Sequence, residues 1–91
     1  ERMDGKKFRA MRIELGLGLK ELGKILGVDK KDIYHWEQRG VPARYIWGLK
    51  TLQRLSKALP PLKFNDYYAR LYRAMEEFRK MMSVHKDESV L

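Results

Sequence analysis

No cysteine occurs in this chain of 91 residues, so it can hold neither a disulfide framework nor a thiolate metal site. Its two histidines, His35 and His85, are too few for a zinc cluster. Long apolar runs are missing as well: nothing approaches the roughly 20 residues of a membrane-spanning helix. The opening ERMDGKKFRA lacks the charged-then-apolar order of a signal peptide. The expectation is an intracellular, cytoplasmic chain with no membrane partner. There is no glycine-rich phosphate loop, no Ser or Cys nucleophile beside a base, and no metal-ligand cluster; the acidic residues are scattered as helix caps and surface pairs. Catalysis and a cofactor are therefore not expected.

What is abundant is positive charge. The net charge is +8 with a pI of about 9.9, and residues 1–58 hold 14 Lys and Arg against 7 Asp and Glu, whereas residues 59–91 hold 6 against 5. An excess concentrated in the first two thirds suits a polyanion, because each cation that neutralises a phosphate releases a condensed counterion. A basic surface kept for solubility explains the same composition, and motifs must decide between the two.

The patterning is helical throughout. Asp4 can cap a helix over about 5–15 in which Phe8, Met11 and Leu15 recur at three and four, with Gly16 placed to end it. Leu19, Leu22, Ile25 and Leu26 give a second helix of barely two turns, stopped by Gly27. Asp29 then stands at an N-cap with Asp32 three residues on, both near the positive end of the helix dipole, and Ile33 and Trp36 face inward. Pro42 reads as the first residue of a fourth helix with the stripe Ile46, Leu49, Leu52, Leu55 and Leu59, ended by Pro60 and Pro61. Asn65 is placed to cap a fifth helix over about 66–82, and the closing HKDESVL has no periodicity and is expected to fray. The patterning divides the chain into a helical unit over 1–59 and a packing or dimerisation helix within 60–91.

Two helices across a glycine turn, the second opened by a capped Lys-Lys pair, suggest a brace on the DNA backbone followed by a reader in the major groove. The segment LKELGKILGVDKKDIYHWEQ, with Leu22, Gly23, Leu26, Gly27, Val28, Ile33 and Trp36 at matching spacing, resembles the helix-turn-helix unit of the phage-repressor and Cro-like family. Upstream FRAMRIELGLGLKEL resembles the family's first helix and junction, and Trp36-Glu37 with Gly40 and Pro42 resembles its exit, so the likeness covers about 6–59. It implies an all-α, five-helix, lambda-repressor-like fold that binds double-stranded DNA as a transcriptional regulator, most simply a repressor at an inverted repeat. Three positions depart from the family: Gly18 and Leu19 stand where Ser or Thr and then Gln usually clamp a phosphate, and Gly23 stands where Ala is usual.

Carried over residue by residue, the resemblance places base contacts at Lys30, Lys31, Tyr34 and His35, with Asp29 a cap rather than a reader. Lysine donates to guanine O6 and N7, so the pair favours G; contact with phosphate alone is the plainer reading. Backbone contacts are expected from Lys20, Lys24, Gln38, Arg39, Arg44 and Tyr45. Beyond residue 59, Phe64, Tyr68, Leu71, Met75, Phe78 and Met82 recur at 4, 3, 4, 3, 4, a heptad seam that wants a facing helix. It is read as the contact of a homodimer, with packing on helices one and four of the same chain as the alternative. An antitoxin or interaction module that sequesters a toxin or other protein is the second functional class. Binding of single-stranded RNA is set aside because no exposed aromatic platform is evident in the sequence.

Overall fold

Two aspartate caps and two left-handed glycines mark the bounds of the first three helices. In the computed structural model, which describes residues 2–90 and the side chains of 2–84, the first helix α1 spans Gly5–Leu15. The Asp4 carboxylate accepts the Lys7 N–H at 2.8 Å, and Gly16 closes the helix at φ 72°. The second, α2, spans Leu19–Leu26 and stops at Gly27, φ 79°, a left-handed conformation that glycine adopts without steric cost. The third, α3, spans Lys30–Arg39. Asp29 accepts the Lys31 N–H while Asp32 accepts the Asp29 N–H at 3.1 Å, a reciprocal capping box. These two carboxylates are occupied as caps.

The fourth helix, α4, spans Ala43–Ala58, so Pro42 is its N-cap rather than its first turn. The single helix expected over 66–82 is instead two: α5 (Phe64–Ala74), with Lys63 rather than Asn65 at the cap position, and α6 (Glu76–Val90). They meet at Met75, whose φ of −97° and ψ of 10° break the helical run without glycine or proline. The Glu76-Glu77 pair falls in the first turn of α6, where the helix dipole favours acid. The molecule thus has six helices, not five, and no strand among the described residues. Among the described residues the backbone stays helical to Val90, past the end expected near 82 and into the closing residues expected to fray.

Helix α3 packs on α1 and α2, α4 on α1 and α5, and both α5 and α6 on α2. One apolar core takes Phe8, Leu22, Ile25, Leu26, Ile33, Leu49, Leu52, Leu71 and Met75 at full burial, with Phe78 and Met82 joining them. The dimer assignment of Leu71, Met75, Phe78 and Met82 is corrected by this packing: their apolar surface is consumed inside the chain. Close approach at two glycines makes it possible. A Cβ on Gly48 would lie 2.5 Å from the Phe78 ring, so α6 seats an aromatic directly on the α4 backbone. A Cβ on Gly23 would lie 2.7 Å from the Val28 carbonyl oxygen, so the turn closes more tightly than any larger residue allows without a shift.

Candidate nucleic-acid interface

Ile33 and Trp36 anchor α3 to the core, and at helical spacing this leaves Lys30, Lys31, Tyr34, His35, Gln38 and Arg39 outside. Tyr34 is 52% exposed, its ring tilted against that of His35 at 5.9 Å. On α2, Lys20 and Lys24 are exposed on successive turns. These two, with Lys30, Val28 and Asp29, line an open depression of about 310 Å³ between the start of α3 and the outer face of α2. Lys20, Lys24, Lys30 and Lys31 form no ion pair among the described residues; the pairs that do form lie elsewhere, such as Lys57 with Glu14 and Lys80 with Glu77. The lysines expected to meet DNA from two helices are therefore brought together at one edge.

Arg44 is exposed at the start of α4, its guanidinium 5.5 Å from the Tyr45 ring centre. Tyr45 itself is a correction. It is 3% exposed, packed at 4.7 Å on Trp36 and 5.9 Å on Phe78, and cannot lie against a phosphate. Its position along the chain suggested a loop contact, whereas the α4 register turns it into the core.

Three tethers that local spacing does not reveal join α1 to α3, α5 to α1 and α6 to α2. Arg12 spans α1 and α3: Nε lies 2.5 Å from Glu37 Oε2, and an NH1 donates to the Leu17 carbonyl at 2.9 Å. The Glu37 side chain is only 7% exposed, and Arg9 approaches it from outside at 3.8 Å. From the tail, the Tyr67 hydroxyl donates to the Leu15 carbonyl at 2.6 Å and meets Ser56 Oγ at 2.7 Å. Arg79 donates to the Ile25 carbonyl at 2.9 Å and lies 3.7 Å over the Tyr72 ring. Pairs 52 or 54 positions apart leave no trace in local spacing. The one available signal was chemical: a half-buried tyrosine needs a partner for its hydroxyl.

Along the outer edge of α5, Phe64, Tyr68 and Tyr72 stand on successive turns with ring centres 6.2 and 6.1 Å apart. Phe64 is 49% and Tyr72 41% exposed. Burial pushes the Tyr68 hydroxyl above its ordinary pKa, and neighbouring Tyr72 and Glu21 push the same way. An aromatic row does reach the surface, contrary to the sequence-based expectation. No protein-family model matches the chain, and neither does any curated protein or solved structure.

Proposed function

We propose that the chain is a double-stranded DNA-binding transcriptional regulator in which α2 clamps the backbone and the first turns of α3 enter the major groove. The observation that carries this reading is the convergence of Lys20, Lys24 and Lys30 around one depression, beside the exposed Lys31, Tyr34 and His35. Lys20, Lys24, Lys30 and Lys31 form no ion pair among the described residues, and Asp29 beside them is committed to capping α3, so this edge keeps a positive excess that favours an anionic partner. The side chains on one helix flank suit phosphates, and those at the capped start of the next suit base edges. Selection of bound sites from random duplexes tests it: an enriched motif containing G supports the reading, and recovery of unenriched sequence sinks it.

Repression by occlusion of a promoter follows most simply from a dimer on an inverted repeat, whose half-sites lie about 34 Å apart. The body measures 43 × 27 × 23 Å, so two copies at that separation can touch. With Leu71, Met75, Phe78 and Met82 of the heptad seam consumed inside the chain, the face best suited to a second copy is the row Phe64, Tyr68 and Tyr72, flanked on α5 by the uncharged Asn65 and Ala69. The side chains of the row are themselves uncharged, with the Arg79 guanidinium over the Tyr72 ring the cation at its margin, so two copies can meet across Phe64 and Tyr68.

A second reading, capture of a protein partner, is favoured by one feature that DNA binding leaves unused. Trp47 is 60% exposed and lines a groove of about 550 Å³ with Lys50, Gln53 and Arg54. Two such basic faces would repel, so the occupant that suits it is an acidic protein segment. Trp47→Ser should abolish that capture and leave DNA affinity intact; loss of DNA binding instead would return α4 to the nucleic-acid interface.

A further inference from the structure

We propose that Arg79, far outside the segment that carries the family resemblance, is a positioning residue that sets the angle at which α3 leaves α2. This rests on the DNA-binding reading for its consequence but not for its geometry. Helix α2 has only eight residues, so its last carbonyls are a large share of its backbone bonding. Its own cap covers one of them: the Gly27 and Val28 N–H groups both turn back to the Gly23 carbonyl, Val28 at 2.8 Å. The Ile25 carbonyl is covered by the Arg79 guanidinium at 2.9 Å, a cation at the negative end of the helix dipole. That guanidinium is held in turn over the Tyr72 face at 3.7 Å. A Cβ on Gly27 would come within 3.3 Å of Arg79 Cγ, so the stem of the same side chain lies against the turn itself.

One residue therefore touches the end of α2, the turn and α5 at once, and it borders the turn that delivers Lys30 and Lys31. Lysine could reach the carbonyl or cover the ring, but lacks the planar fork that does both. In the whole, DNA-free protein, hydrogen exchange reads the geometry directly. Arg79→Ala is expected to speed exchange of the Gly27 and Val28 amides about tenfold while leaving the α4 core amides unchanged, with Arg79→Lys in between. Unchanged exchange at the turn, or equal acceleration everywhere, overturns the proposal.

Duplex binding then separates positioning from contact. The ratio of affinities for a selected site and a scrambled one should fall about tenfold in Arg79→Ala, with the salt dependence preserved. A salt slope reduced by about one unit would instead make Arg79 a phosphate contact and refute the positioning role. If the unaltered protein binds no duplex, the DNA reading fails, and the exchange result still decides the place of Arg79.

Discussion

Lys24 and Lys31 are both exposed and bear the same charge, one in the last turn of α2 and the other in the first turn of α3. If α3 reads bases, they must differ in kind. Lys31→Ala should cost about 1–3 kcal/mol on the preferred site and relax preference at one base pair, whereas Lys24→Ala should weaken all sequences alike. Competition assays on single-base variants would show it, and uniform loss from both would make Lys31 a phosphate contact. Arg12 offers a prediction about stability. Its removal leaves the enclosed Glu37 carboxylate with only the looser Arg9 contact at 3.8 Å, so Arg12→Ala should cost about 3 kcal/mol in urea denaturation. Little of this was legible at the residue scale. The lysines and caps were, because charge and capping are local, whereas the partner of Glu37 and the burial of Tyr45 depend on how helices cross.

Among the elements, α1 to α4 were readable because local residues mark most of their ends: Asp4 and Gly16, Gly27 and Asp29, Pro42 and Pro60. The break at Met75 was not, since the heptad spacing continues unbroken across it. That spacing reports which residues are apolar on one face, and it holds equally for one straight helix against a partner or two short ones following a curved core. Acid at Glu76-Glu77 marked a new first turn, but an exposed acidic pair also suits a solvated helix face. The junction of α4 and α6 can be tested through Gly48. Gly48→Ala gains helix propensity of about 1 kcal/mol but presses on the Phe78 ring, and overpacking of this kind costs about 1–3 kcal/mol. A modest net loss of stability is expected in chemical denaturation, and it should shrink or reverse in a Phe78→Leu background. Identical effects in both backgrounds would mean that the ring yields freely.

For the molecule as a whole, the basic face and the aromatic row make separable demands. A dimer applying Lys20, Lys24, Lys30, Lys31, Arg39 and Arg44 from each copy should neutralise roughly 6 to 10 phosphates, and log K should fall by about 0.9 per contact with log salt. Affinity unchanged between low and moderate salt would rule the face out as a phosphate surface. Phe64→Glu with Asn65→Glu charges the row at two exposed positions, leaving Leu71, Met75 and the Arg79–Tyr72 contact in place. Light scattering should then report a monomer with unaltered helicity, and cooperative operator binding should be lost. A variant that remains dimeric would move the contact elsewhere.

The two tail tethers also bear on the order in which the chain folds. The bonds from Tyr67 to Leu15 and from Arg79 to Ile25 join positions 52 and 54 residues apart, whereas α2 and α3 are neighbours in the chain. Loop closure makes such distant pairings entropically expensive, so they are expected to form after the local helix pairs. Late contacts govern how fast a protein comes apart more than how fast it assembles. The tail then acts as a latch in time: α2 and α3 can pair early, but the lifetime of their packing is set by residues that arrive last.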